Sequence, residues 1–150
     1  YSYFDSKDTL LLMILGQVVD AVGLALSTPQ AAMGDAGLRL RALMARHVYL
    51  TEIMGPWFVF AFMEAKAFGK QGRDMAVESE LWTEGLLRDV IADGIAAGHF
   101  RPVDPTMAAA LIKPMLQDWY VKRAKYRKRG IDPDAFVEML TDMTGAMLRR

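Results

Sequence analysis

Residues 104–133 read DPTMAAALIKPMLQDWYVKRAKYRKRGIDP. Asp104-Pro105 and Asp132-Pro133 each supply an N-cap carboxylate and then a proline at the first helical position, where the missing N–H costs nothing. Gly130 is placed to end the helix that starts at Pro105. Between them Met107, Leu111, Met115 and Trp119 run beside Ala108, Ile112, Leu116 and Tyr120, a spacing of three and four that predicts a helix. Pro114 lies inside it and is expected to kink it near Ala110, whose carbonyl loses its partner. After Pro133 the same spacing returns in Phe136, Met139, Leu140, Met143, Met147 and Leu148. The two segments are expected to form an antiparallel pair. Both apolar faces are wider than one hairpin can bury, so a second copy is expected to complete a four-helix bundle. The homodimer interface then falls on Ile112, Leu116, Phe136, Met139, Leu140, Met143 and Met147.

Four more helical segments precede this pair. The first spans about Ser6 to Ser27, with Ser6 as N-cap and Leu10, Leu11, Ile14, Val18, Val22 and Leu26 as its stripe, and ends at Thr28-Pro29. The second runs from about Asp35 to Met54, with Leu40, Leu43, Met44, His47, Val48, Thr51 and Met54 on one face. The third, Pro56 to Phe68, is apolar on all sides through Trp57, Phe58, Val59, Phe60, Ala61, Phe62 and Met63, and is expected to be enclosed by other helices. Gly69 and Gly72 are expected to open a turn. The fourth segment, Arg73 to Ala97, pairs a stripe of Trp82, Leu86, Leu87, Val90, Ile91 and Ile95 with acidic outer faces, and Gly98 closes it. The expectation is an all-α fold: a six-helix ligand-binding bundle whose last helix pair forms a four-helix dimer interface.

Composition narrows the function. The 150 residues carry 18 basic and 18 acidic side chains, so the chain as a whole lacks the basic excess of a nucleic-acid-binding domain. The 53% hydrophobic content is that of a folded domain. Zero cysteines exclude disulfides, thiolate metal sites and a cysteine nucleophile. The longest charge-free apolar run, Ile53 to Met63, is too short to span a bilayer. The chain starts at Tyr1 without a methionine or a signal-peptide pattern, so further residues are expected upstream, and a cytoplasmic location is expected. With 2 histidines, no His–carboxylate metal spacing, no Gly-rich phosphate loop and no nucleophile elbow, neither an enzyme, a metal site nor a cofactor is expected.

The opening run Tyr1-Ser2-Tyr3-Phe4-Asp5-Ser6-Lys7-Asp8-Thr9-Leu10-Leu11 has the pattern Tyr-x-x-Phe-x-x-Lys-x-x-Leu. It resembles the junction between recognition helix and ligand domain in the tetracycline-repressor (TetR-like) family of bacterial regulators. The run from Gly94 to Pro105 is similar to the turn that leads into that family's dimerisation hairpin. The resemblance implies that residues 1–5 are a remnant of a helix-turn-helix headpiece and residues 6–150 an effector-binding and dimerisation domain. It implies a DNA-binding regulator, a repressor that releases operator DNA when a small effector binds. It also implies that Tyr1, Tyr3 and Lys7 meet the DNA backbone, which positions a protein without reading sequence.

Eleven Met and 3 Trp concentrate on inward helix faces. At helical spacing such residues make core or line a cavity, and Met suits a cavity for varied apolar ligands. The cavity reading places a small apolar or aromatic effector against Met44, His47, Trp57, Phe58, Phe62, Met63, Trp82, Met115 and Trp119. His47 is either a hydrogen-bonded core residue or a ligand's polar anchor. Tyr49, Glu64, Gln117 and Tyr120 are the other polar groups near these faces. The bases between Lys122 and Arg129 form a solvated helix end, pair with the acidic fourth segment, or meet the phosphates of an effector such as an acyl-CoA. The alternative to a ligand-responsive regulator is a helical protein–protein interaction module without a small-molecule ligand.

Overall fold

The computed structural model describes residues 3–26, 34–64 and 69–150; for residues 3–8, Leu11, Ala25, Phe58 and residues 61–64 it describes the backbone alone. The described residues form α1 (Tyr3–Leu26), α2 (Ala36–Ile53), α3 (Gly55–Glu64), α4 (Gly69–Ala96), α5 (Pro105–Val121), α6 (Arg123–Lys128) and α7 (Pro133–Leu148). The all-α expectation holds, with seven helices in place of six. The extra one arises because the helix from Pro105 stops at Lys122, well before Gly130. The break lets Arg123 reach Glu52 of α2, while Lys125 and Tyr126 fold back onto Asp118.

Local chemistry sets most helix ends. Asp35 accepts from the Leu38 N–H at 2.9 Å, Asp104 from Thr106 at 2.9 Å, and Asp132 from Ala135 at 2.8 Å. Gly98, at φ +79°, ends α4 in a left-handed turn. The N–H groups of His99 and Phe100 then donate to the Gly94 carbonyl at 2.9 and 3.0 Å. Phe100 folds onto Gly94, where an added β-carbon would lie 2.2 Å from its ring. Two ends differ from expectation. Helix α1 begins at Tyr3, so Ser6 lies inside it and not at its cap. Helix α4 begins at Gly69, and Gly72 is buried within it instead of forming a turn. Helix α5 contains Pro114 in its interior, as expected. The expected stop at Thr28-Pro29 lies outside the described residues.

Helix α2 is the centre of the packing, against α1, α4, α5 and α7. Its buried Leu40, Leu43, Met44 and Val48 meet Leu15, Val18 and Val22 of α1, Leu87 and Ile91 of α4, and Val137 and Leu140 of α7 in one core. Two expectations about neighbours need correcting. Helix α7 packs mainly on α2, and its tie to α5 runs through ring contacts of Phe136 with Trp119, so the last segments are not a close helical hairpin. Helix α3 is not enclosed: Trp57 is 50% and Val59 37% exposed. It rests against α1, α2 and α5.

Candidate functional site

Polar side chains from three helices meet inside this apolar packing. Helix α2 brings His47, helix α4 brings Thr83, and helix α5 brings Lys113, Gln117 and Tyr120. Lys113 Nζ lies 3.3 Å from His47 Nε2, and the two residues are only 6% and 2% exposed. The Tyr120 ring centroid is 6.2 Å from that of His47. One turn along α5 from Lys113, Gln117 donates to Glu80 of α4. Leu26, Leu43, His47, Thr83, Leu86, Leu87 and Leu116 line a cavity of about 10 Å³, room for one water.

Burial sets the protonation of this cluster. Loss of water, helped by the Lys113 charge, holds the His47 imidazole well below its usual range, so it is neutral at pH 7. Loss of water also brings Lys113 down from 10.5 to about 8, against the opposing pull of Glu80 and Glu84. Burial and Glu80 push the Tyr120 phenol up, so it remains a donor. Lys113 is therefore still an ammonium at pH 7, in a site poor in water. The sequence offers one signal for it. Lys113 is in phase with the buried Ala109, Leu116 and Tyr120, a lysine where the spacing calls for an apolar residue.

This arrangement carries a pH dependence of stability. Below pH 8 Lys113 is charged both folded and unfolded, and the folded chain bears the burial penalty. Between about 8 and 10.5 the native lysine has lost its proton while the unfolded one retains it. The unfolded state then binds more protons, so stability rises with pH across that window. The gain is about 3 kcal/mol, from the size of the shift. Urea melts of the wild type minus Lys113→Met, taken at steps through the window, should show this rise; a flat difference would refute it.

The structure separates the other candidate residues. Met44 and His47 are in the core, with Met44 Sδ 4.0 Å from Thr144 Oγ1. Trp57 and Trp82 are 50% and 41% exposed and face outward, while Met115 is half-buried. The side chains of Phe58, Phe62, Met63 and Glu64 lie outside the described residues. Trp119 is fully buried, but among side chains and not beside the cavity. Its ring meets Phe136 at 4.8 Å and Tyr126 at 5.2 Å, and its Nε1–H donates to Glu52 at 3.2 Å. Tyr49 donates to Asp134 and so joins α2 to α7.

The basic run divides in two. Arg123 forks onto both Glu52 oxygens at 2.9 Å and lies 4.3 Å over the Trp119 ring, and Lys125 pairs with Asp118 at 2.6 Å. Their partners are on α2 and α5, not on the acidic α4. Lys122, Arg127, Lys128 and Arg129 are exposed. Of the residues assigned to a dimer interface, Ile112, Leu116 and Leu140 lie in the chain's own core and Phe136 stacks on Trp119. Met139, Met143 and Met147 are exposed. Tyr1 lies outside the described residues, and Tyr3 and Lys7 are described only as backbone in α1.

No cluster of metal-ligating side chains is found among the described residues. Residues 34–148 match the family model described as the tetracyclin repressor-like C-terminal domain, and the chain belongs to that family. It is a family of DNA-binding transcriptional regulators, not of enzymes. A solved TetR-family transcriptional regulator from Streptomyces coelicolor is similar over 96% of this chain and 72% of its own, with a TM-score of 0.72 and 20% identity. The TetR-family regulator PfmR from Thermus thermophilus is similar over 94% and 72%, with a TM-score of 0.65 and 24% identity. At these identities the likeness is one of fold. No curated protein matches the chain. No helix among the described residues is long and apolar enough to cross a membrane.

Proposed function

We propose that this domain is the effector-sensing and dimerising part of a ligand-responsive transcriptional repressor, which leaves operator DNA when a small, largely apolar effector binds. The observation that carries the reading is the buried His47–Lys113 pair beside a leucine-lined cavity between α2, α4 and α5. A folded core built for stability alone gains nothing from a buried ammonium. Effector entry needs α4 to part from α5, and α1, packed on α4, follows it toward Tyr3 and Lys7. Those residues, with Tyr1, are then the DNA-backbone contacts, and residues 1–5 belong to the DNA-binding headpiece. An acyl-CoA keeps only part of its support, because Arg123 and Lys125 already have carboxylate partners.

Octanol and hexylbenzene serve as probes. Either should raise the melting temperature of the wild type and alter its tryptophan fluorescence. Leu116→Phe, which fills the cavity, should abolish both responses. The reading fails if neither probe produces a response in the wild type.

Dimerisation rests on a separate observation. Met107 and Leu111 of α5 and Met139, Met143 and Met147 of α7 are 43–65% exposed, an apolar surface on the last helices that suits a second copy. Light scattering should give a dimer for the wild type and a monomer for Leu111→Glu/Met143→Glu. A wild-type monomer at micromolar concentration would rule the dimer out.

A further inference from the structure

Lys113 has no carboxylate within ion-pair distance among the described residues, although 94% of its surface is buried. Its hydrogen-bond partner is a neutral imidazole, which can accept a bond but cannot balance a charge. Glu80 and Glu84 face it from α4. Glu80 is exposed and engaged by Gln117, and Glu84 is half-exposed. A buried ammonium is stable when an anion reaches it with its hydrogen bonds satisfied. The Lys113 ammonium lies one hydrogen bond behind the wall that His47 gives to the leucine cavity.

We propose that the Lys113 ammonium anchors the carboxylate of an apolar acid whose hydrocarbon part lies among Leu43, Leu86, Leu87 and Leu116. The proposal rests on the effector reading above and goes further, in naming the effector's polar end. Charge selects a monoanion. The site offers one ammonium and a neutral imidazole, and the two glutamates on α4 repel a phosphate dianion. Chemistry selects an acid over an alcohol, because a hydroxyl would leave the ammonium unbalanced. Shape selects a chain or a flat ring, since the wall beside His47 is leucine and Thr83. The cavity is water-sized in this structure, so the acid enters as α4 separates from α5. The Gln117–Glu80 hydrogen bond, one turn from Lys113, joins those two helices and opens with them.

The test is isothermal calorimetry at pH 7 with octanoate, octanol and octylamine. Octanoate should bind the wild type on the order of tenfold or more tighter than octanol, the range of a charge-assisted hydrogen bond, and octylamine should bind weakest. Lys113→Met should lose the preference for octanoate while still taking octanol, and Lys113→Arg should retain part of it. Lys113→Gln repeats the neutral arm should the methionine variant not fold. Equal affinity of the wild type for octanoate and octanol overturns the anchor and leaves the effector reading standing. An undiminished acid preference in both neutral variants also overturns it. Failure of all the probes to bind removes the effector reading together with the anchor.

Discussion

Gly94→Ala is expected to destabilise the fold by about 2 to 3 kcal/mol, although alanine is the better helix former. In the middle of an exposed helix the exchange would gain about 1 kcal/mol. Here the new β-carbon would fall 2.2 and 2.5 Å from Cδ2 and Cε2 of Phe100 and 2.9 Å from the Ala36 β-carbon. Overpacking of this kind costs about 1–3 kcal/mol and sometimes more. The ring has little freedom to retreat, because the Phe100 N–H is bonded to the Gly94 carbonyl and the Arg101 N–H to Leu148 at 2.8 Å. Gly85→Ala on the same helix is the control. Its β-carbon would meet only the end of Arg88 at 3.6 Å, so it should be neutral or stabilising. The urea midpoint should fall for Gly94→Ala and hold or rise for Gly85→Ala. A Gly94→Ala midpoint equal to that of the wild type would mean that the α4–α5 turn repacks freely.

Trp119→Ala should cost about 4 kcal/mol, the range for truncating a large buried aromatic. Three losses coincide. The ring leaves a cavity between Tyr126 and Phe136, Glu52 loses the indole N–H, and Arg123 loses the face it stacks on. Since α7 meets α5 through these rings, the loss should loosen the attachment of α7 as well. Trp119→Phe keeps most of the packing and removes the N–H, so it should cost about 1–2 kcal/mol. Denaturant melts of the two variants divide packing from hydrogen bonding. Near-equal losses would show that the Glu52 contact, not the packing, dominates.

The sequence made the parts of this fold that depend on near neighbours legible. Asp35, Asp104 and Asp132 cap the helices that their positions predicted, and Gly98 ends α4 in a left-handed turn. Contacts from far along the chain were not legible. The break at Lys122 places Arg123 on Glu52, 71 residues away, and no periodicity carries that information. Helical spacing also shows which face turns inward, but not whether the interior there is filled. Trp119 was therefore assigned to a cavity and is found stacked between rings, and Ile112, Leu116 and Leu140 were assigned to a partner and are found in the chain's own core. His47 was legible as buried. Lys113 is marked in the sequence only by its phase with Ala109, Leu116 and Tyr120, and what surrounds it is supplied by the other two helices.

The end of α7 is sewn to the turn after α4. Phe100 forms a bridge with Arg149, the Arg101 N–H donates to the Leu148 carbonyl, and the Arg101 guanidinium donates to Met147. These bonds give otherwise unpaired carbonyls at the close of a helix their donors. They also set a timetable during synthesis. The stretch of chain around Phe100 is made about fifty residues before its partners, and until Leu148 and Arg149 leave the ribosome the Gly94 turn has nothing to hold its outer side. A nascent chain halted before α7 would leave uncovered the apolar side of α2 on which α7 packs, so the last helix to be made is also the one that closes the core.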